Sequence, residues 1–312
     1  MKIHDNNPFT KIFLFLILSV LFVALNFFNA LNAAENLSYQ EKDLKKISSN
    51  YVKSPKNIKK PKLIFSKIQL DNYYIYAICD QVLLDSLQSK CYSYTYKAPV
   101  FNFFKIQYSH IREGIKKRYF FHYDKRIPSL YKNYINDYTK GKDKYDKGHL
   151  APDASFDFDK EVLKSTYLSS NVVPQVPYIN RYIISKIEKD ERNIVKRSKK
   201  DLYVLTGAVY THYDYRYVDE NIFKTKVPSA MVFLFIQDEK VIKGYLVPNT
   251  FNFSFKYKQA SKKDRKKIFE NLRIKINKKD EIKRLLLKLN IKKITFKKNK
   301  KRILNGYKGY KY

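Results

Sequence analysis

Acidic residues are scarce in this sequence. Its 312 residues include 29 Asp and Glu against 63 Lys and Arg, which gives a formal net charge of +34. Self-repulsion on that scale destabilises a compact state unless a polyanion or salt compensates it. Nucleic acid and anionic membrane are therefore the candidate partners. A lysine-biased composition spread over a solvated surface would explain part of the same excess, so charge alone does not choose between binding and no binding.

A long apolar run is also absent. The longest run, 12–25, has 14 residues, which is fewer than the roughly 20 that span a bilayer. Lys2 and Lys11 precede this run and Ala33-Ala34 follow it, an order typical of a signal peptide. Extension of the run through Phe27-Phe28 would instead make it an uncleaved anchor. In either case, we expect the rest of the chain to be exported, to the periplasm or the cell exterior.

Cysteine is limited to Cys79 and Cys91. An even number of cysteines in an exported chain, at a spacing that closes a small loop, predicts a disulfide between them. Metal binding by this pair is disfavoured, because no second Cys or His pair stands beside it at zinc-ligand spacing.

Composition divides the chain into four segments. The signal peptide covers 1–34, and a polar, lysine-rich stretch with two prolines forms a basic linker over 35–62. The predicted domain covers 63–255, and a lysine-rich C-terminal extension covers 256–312. An amphipathic stretch near 280–289 leaves two alternatives for this extension: a helix laid on the core with a nucleic-acid-binding arm, or a solvated tail.

Periodicity predicts a sheet and one prominent helix. The runs 202–210, 230–236 and 241–247 are short, apolar and rich in β-branched and aromatic residues, as strands buried on both faces would be. Between the predicted strands, isoleucines recur at helical spacing over 178–199, after Pro177 at a plausible helix start.

One histidine has informative neighbours. His149 lies in the block Asp-Lys-Gly-His-Leu-Ala-Pro, where Gly148 would allow a tight turn and a cation and a carboxylate flank the imidazole. A second block, 167–175, leads into Asn180, Glu188 and Arg192. These three residues recur at multiples of four, so they form one slowly drifting stripe on the predicted helix. Asn180 and Glu188 would lie about 12 Å apart along its axis, too far to grip one ion together.

The two blocks together resemble the DNA/RNA non-specific endonucleases of the ββα-metal superfamily. The resemblance covers roughly 97–247 and includes Asp124-Lys125-Arg126-Ile127-Pro128 upstream and Val204-Leu205-Thr206-Gly207 downstream. It implies an α+β fold with a mostly antiparallel central sheet flanked by helices. A ββα-metal finger would place His149 before the Asn180 helix. DNA and RNA would be the substrates, cleaved without sequence specificity to leave a 5′-phosphate, and no small-molecule cofactor is expected.

The resemblance also implies a role for each site residue. His149 would be the general base, Asn180 the sole direct protein ligand of Mg²⁺, with Mn²⁺ able to replace it, and Glu188 the holder of metal-bound water. Arg192 would contact phosphate. A hard ion that keeps most of its waters needs few protein ligands, which fits one amide oxygen. A neutral imidazole can accept a proton from water at neutral pH.

Four further residues belong to this expected site. Asp146 and Asn171 would support the groups that contact substrate or metal. The arginine that the family places upstream is Arg118 by nearest match, and Arg126 competes with it. Lys147 stands where the family has arginine and would bind phosphate, but without the bidentate fork, so weaker substrate positioning is expected.

Two other function classes compete with the nuclease. The family's tryptophan after the ligand asparagine is missing, since the chain contains no tryptophan. A non-catalytic cell-surface protein that captures nucleic acid would use the basic segments alone. An envelope-anchored protein that binds anionic lipid would use the leader and the tail, but it leaves both central motifs unexplained. The sequence leaves the oligomeric state open.

Overall fold

The computed structural model describes residues 65–111, 114–116, 118–140, 142–211, 213–214, 216–218, 225–296 and 302–305. The predicted signal peptide and basic linker lie outside these residues. Within them, no helix is long and apolar enough to cross a membrane.

Fourteen strands and five α-helices are defined in the described part of the chain. The strands are β1 Ser66–Leu70, β2 Tyr73–Ala77, β3 Gln81–Asp85, β4 Gln88–Ser93, β5 Ala98–Ile106, β6 Asp146–His149, β7 Val172–Gln175, β8 Leu202–Val209, β9 Tyr217–Val218, β10 Thr225–Lys226, β11 Ala230–Gln237, β12 Lys240–Pro248, β13 Ile291–Phe296 and β14 Arg302–Asn305. The helices are α1 Lys160–Thr166, α2 Ser185–Ser198, α3 Phe251–Gln259, α4 Lys262–Asn271 and α5 Lys279–Lys288.

A six-stranded antiparallel sheet forms the centre, in the order β12-β11-β8-β5-β4-β3. The three predicted strands are confirmed as β8, β11 and β12. Both faces of this sheet are covered: Phe104 and Phe233 belong to one hydrophobic core, and Phe103 and Leu234 belong to the other. Burial on two faces explains the apolar runs of β8 and β11. Strand β12 lies at the edge of the sheet and its first four residues are exposed or half-buried, so the expected burial on both faces is wrong for this strand. The predicted α+β class with a mostly antiparallel sheet is confirmed.

A second sheet, in the order β1-β2-β13-β14, contributes to the core on the far side from the helix α2. The structure joins Cys79, just after β2, to Cys91 of β4 by a disulfide with the Cα atoms 5.4 Å apart. This bond ties the segment between β2 and β3 to strand β4 of the central sheet.

The fold continues beyond residue 255, where the sequence placed the end of the domain. Helix α5 buries Leu285, Leu286 and Leu289 in the second core, and β13 pairs with β2. The sequence left two alternatives for this region, a helix laid on the core or a solvated tail. Residues 279–296 form the first of these, a helix on the core followed by an added strand. The lysine-rich composition concealed this packing, because only a few apolar residues per turn are needed to bury one face.

The predicted helix over 178–199 is present, but it is not uniform. Ile179–Ile184 form a π-helical segment, in which the Ser185 amide donates to the Asn180 carbonyl five residues earlier, and α2 follows directly. Ile187, Glu191 and Val195 form the buried stripe of α2. The helix ends at Lys199, whose φ of 53° is left-handed.

Candidate active site

The hairpin β6–β7 carries the histidine motif. These strands pair antiparallel, with His149 opposite Val172 and Gly148 opposite Val173. A Cβ atom at Gly148 would overlap the Gln175 side chain. Close packing between the strands therefore requires glycine here, rather than the tight turn expected from the sequence.

The His149 imidazole lies at the end of β6 between two aromatic rings. The ring of Phe121 is 5.0 Å away and that of Tyr167 is 5.2 Å away, measured between centroids. The Nε2 atom is buried and has no hydrogen-bond partner among the described residues. A buried ring nitrogen without a hydrogen-bond partner is uncommon in folded proteins, so this atom is the candidate contact point for a bound group.

The electrostatic surroundings keep His149 neutral. Burial lowers the pKa of the imidazole, Asp153 opposes that shift and Arg118 adds to it. Burial alone would raise the pKa of Asp153, but His149, the Tyr167 hydroxyl and Arg118 together hold it below its usual value. The Tyr167 hydroxyl donates to Asp153 Oδ2 at 2.6 Å. Asp153 is therefore a charged neighbour of a histidine that is unprotonated at neutral pH.

Of the two competing arginines, the structure places Arg118 beside His149. Arg118 Nε lies 3.1 Å from Asp153 Oδ2, and the side chain is about half exposed. Arg126 instead pairs with Asp124 at 2.7 Å and with Asp85 at 3.1 Å, on the side of strand β3. Its guanidinium is occupied by these carboxylates.

Asn180 is oriented by a contact with β6. Its Nδ2 donates to Asp146 Oδ2 at 3.1 Å. Asp146 also accepts two hydrogen bonds from Arg181, at 2.9 Å and 2.7 Å. The predicted supporting role of Asp146 thus has a geometric basis, and Arg181, which sequence reasoning missed, shares it.

The donor chemistry of Asn180 fits a magnesium ion. Since the amide nitrogen of Asn180 is used by Asp146, the amide oxygen is the atom left to act as a ligand. The described residues contain no cluster of three or more His, Cys, Asp or Glu that could hold a metal. Such a sparse oxygen site suits an ion that keeps several waters and disfavours a closed zinc cage.

Glu188 and Arg192 lie one turn apart on α2. Burial raises the pKa of Glu188 to about 7, with Arg192 opposing the shift and Asp153 adding to it. Arg192 has a buried Nη1 atom without a hydrogen-bond partner in the described part of the chain. Glu188 interacts electrostatically with Asp153, and Arg192 interacts with Asp157. Both aspartates lie next to Arg118. Glu188 and Arg192 are therefore linked through Asp153 and Asp157 to Arg118, and of these groups Asp153 and Arg118 act on His149.

Asn171 holds the loop that follows His149. Its Nδ2 donates to the Ala151 and Thr166 carbonyls at 2.9 Å each, and its Oδ1 accepts from the Ala151 amide at 2.9 Å. The same oxygen accepts from Asn102 Nδ2 at 2.7 Å. Asn171 is fully buried, so it connects the finger to the central sheet without exposure to the cleft.

Lys147 lies beside the site. Its Nζ donates to Asn136 Oδ1 at 3.1 Å and stands 5.6 Å from the centre of the Phe121 ring. Burial lowers the pKa of this lysine. A cation over the ring that contacts His149 is suitably placed for a phosphate group.

Sequence reasoning missed Asp153, Tyr167 and Arg181 as site residues. Asp153 directly follows the Pro152 that ends the histidine motif, and Tyr167 opens the second block, so both were visible in the sequence. Arg181 gave no signal, because its partner Asp146 is 35 residues away in the chain.

A hairpin carrying the histidine and a following helical segment carrying the asparagine form the predicted ββα arrangement. The family model described as DNA/RNA non-specific endonuclease matches residues 73–292. The chain belongs to this family.

Similar proteins include nucleases of several organisms. Mitochondrial endonuclease G of Homo sapiens is 36% identical over 66 residues, which are 21% of this chain and 22% of that protein. A mitochondrial nuclease of Saccharomyces cerevisiae is 32% identical over 100 residues, 32% of this chain and 30% of that protein. A nuclease of Syncephalastrum racemosum is 33% identical over 91 residues, 29% of this chain and 28% of that protein.

The aligned regions span between 22% and 30% of the length of these relatives. A solved structure of an EndoG/EndoGI complex is 20% identical, with a TM-score of 0.48, and the match covers 55% of this chain and 75% of that chain.

Proposed function

We propose that this protein is an endonuclease that hydrolyses phosphodiester bonds of DNA and RNA without sequence specificity. The observation that carries the proposal is the buried Nε2 of His149, which has no hydrogen-bond partner among the residues that the structure describes, in a chain of the DNA/RNA non-specific endonuclease family. The flanking charges support it, since Asp153 and Arg118 both act on the imidazole.

His149 is the general base of the proposed reaction. Its Nε2 accepts a proton from a water molecule as the water oxygen attacks phosphorus and the P–O3′ bond breaks. A lowered pKa supports this role, because the neutral ring dominates at neutral pH. The Tyr167–Asp153 contact lies beside the ring and favours the imidazolium that forms.

Cationic side chains stabilise the phosphate as negative charge develops. Arg118 and Arg192 supply guanidinium groups, and Lys147 supplies an ammonium group near Phe121. The residues Asn180 and Glu188 would hold Mg²⁺, the first through its amide oxygen and the second through water. When bound, the ion supplies Lewis-acid stabilisation of the leaving oxygen.

Lack of sequence specificity follows from the kind of contact proposed. Phosphate and sugar contacts fix the position of a nucleic acid but carry no base information. Lysines and arginines outside the site supply affinity, as the net charge of +34 supports.

Cleavage of circular DNA tests the proposal. The full chain is incubated with plasmid in Mg²⁺ or chelator, alongside His149→Ala, Asn180→Ala and the control His122→Ala, whose histidine is exposed. We expect nicking and linearisation by wild type and by the control in Mg²⁺ only, and a loss of at least a hundredfold in the two site variants. Intact plasmid in every wild-type reaction would refute the nuclease. Equal cleavage by His149→Ala would refute the assignment of the base.

We also propose that the protein acts after export, on the strength of its leader sequence. The relatives include mitochondrial proteins by name, so location is tested separately. Amino-terminal sequencing of protein recovered from outside the cytoplasm should begin near residue 35. Protein retained entirely in the cytoplasm with an intact leader would contradict this proposal.

A further inference from the structure

Three aromatic side chains near the Asn180 end of the site are exposed to solvent. Tyr182 is 59% exposed, Phe255 is 63% exposed and Phe251 is 39% exposed. Phe251 and Phe255 stand one turn apart on α3, so they share a face. We call these three residues the aromatic ridge. Large aromatic side chains gain free energy from burial, so a group left in water beside a functional site marks a surface for a partner.

Two members of the aromatic ridge, Phe251 and Tyr182, are connected to the site. The ring of Tyr182 lies 4.4 Å from that of Tyr178, which in turn lies 6.3 Å from the ring of Tyr257 on α3. At the other end of α3, Phe251 packs 5.5 Å from the ring of Tyr145. Tyr145 precedes Asp146, the partner of Asn180. Phe251 therefore lies next to the strand that holds the partner of the proposed metal ligand, and Tyr182 lies two residues after that ligand in the same helical segment.

The surface around the ridge is strongly basic. Residues 251–267 contain seven Lys and Arg and one acidic residue, Asp264. The lysines of this segment are exposed: Lys256, Lys258, Lys262, Lys263, Lys266 and Lys267. A partner must therefore combine negative charge with flat apolar faces.

Single-stranded nucleic acid has both properties. Its backbone phosphates follow basic surfaces, and its unpaired bases stack on exposed aromatic rings. In a duplex, the bases are stacked on one another, so only phosphates are available to the same surface. From the exposed rings and the surrounding lysines, we propose that the aromatic ridge binds single-stranded DNA or RNA next to the site and makes unpaired strands the preferred substrate class. This inference rests on the proposed nuclease function.

Binding without cleavage tests the ridge directly. In a His149→Ala background, affinity is measured by fluorescence anisotropy for a labelled 20-nucleotide oligo-dT and for a 20-base-pair duplex. We expect Tyr182→Ala/Phe255→Ala to weaken binding of the single strand by at least tenfold, since each stacked base contributes about tenfold in Kd. Duplex binding should change by less than about twofold, because the lysines are intact.

Two further variants separate stacking from other causes. Phe255→Leu keeps apolar area but removes the aromatic face, so it should weaken binding of the single strand nearly as much as Phe255→Ala. Tyr108→Ala is the matched control, since Tyr108 is 41% exposed and its amide contacts Asp201, beyond the opposite end of α2. We expect this control to bind both probes like its parent.

Any other result of these binding measurements counts against the inference. Equal weakening for single strand and duplex would show a general loss of charge or fold, and unchanged binding of the single strand would show that the ridge is not a contact. In both cases, cleavage of plasmid by wild type would leave the nuclease proposal intact. Failure of the parent protein to bind either probe, together with no cleavage by wild type, would overturn both proposals.

Discussion

Replacement of Glu188 by glutamine should stabilise the metal-free protein while it damages activity. Burial raises the pKa of Glu188 from 4.5 to about 7. The raised pKa means that the fold favours the protonated acid over the carboxylate. Its contribution to stability is complete below pH 4.5 and is lost as the pH rises through about 7. Above that pH, wild type must bury an anion, whereas the glutamine variant is neutral at every pH.

The size of the effect follows from the shift in pKa. Since one pKa unit corresponds to roughly 1.4 kcal/mol, the rise of the pKa from 4.5 to about 7 sets an upper limit of about 3 kcal/mol. Glu188 is partly exposed, so solvent screening reduces the expected gain to about 2 kcal/mol. For a domain of this size, that corresponds to a rise of about 4–8 °C in Tm.

Thermal unfolding in chelator at about pH 8.5 and about pH 4.5 measures this prediction. Glu188→Gln should raise Tm at the higher pH and leave it unchanged at the lower pH. The control is Glu161→Gln, because Glu161 is exposed and pairs with Lys164 on the surface; it should show no such gain at the higher pH. An equal Tm difference at both pH values would refute the reasoning, since the effect would not come from ionisation.

Three other changes test the site. Asp153→Asn removes a charge that raises the pKa of His149, so the acid limb of the kcat/KM profile should move to lower pH; a limb that stays in place would show that another group titrates. Asn171→Ala removes four hydrogen bonds and should cost about 2–4 kcal/mol in urea unfolding, with a loss below about 1 kcal/mol speaking against its anchoring role. Lys147→Arg should lower KM for DNA a few-fold with little change in kcat, because a fork replaces a point charge. Activity of wild type should fall steeply between about 50 and 200 mM salt, and salt-independent activity would contradict the role of charge.

The central strands and the helix that carries Asn180 were predictable because each has a hydrophobic pattern that the lysine-rich composition does not obscure. Strands β8 and β11 are buried on both faces and therefore appear in the sequence as apolar runs, whereas the edge strand β12 is buried over only part of its length. The packing of the C-terminal region on the core was not predictable, because α5 buries a few leucines among many lysines and net composition outweighed the pattern. Local motifs pointed to His149 and Asn180, but Asp146, the partner of the Asn180 amide, lies 34 residues earlier in the chain, in β6.

The choice between Arg118 and Arg126 also required three dimensions. Neither arginine matches the spacing of the family's upstream arginine closely, so sequence alone left both residues as candidates for that position. Asp124 is only two residues from Arg126, but Asp85, the second carboxylate that pairs with it, is 41 residues away in the chain. A pairing of this kind depends on the packing of β3 against a loop, which no periodic signal encodes.

The π-helical segment Ile179–Ile184 changes how the spacing between Asn180 and Glu188 should be counted. In an ideal α-helix, eight residues turn about 80° beyond two full turns, which would point the two side chains in different directions. A π turn contains more residues than an α turn, so the chain rotates less per residue there. The π-helical segment therefore accommodates one extra residue and reduces the angle of about 80° between the two side chains. Eight positions along this chain therefore have nearly the facing that seven positions have in an unbroken α-helix. A sequence motif that fixes the spacing between the asparagine and the glutamate at eight positions would misalign any relative that lacks the extra residue. In such a relative, the two side chains would still face the same way.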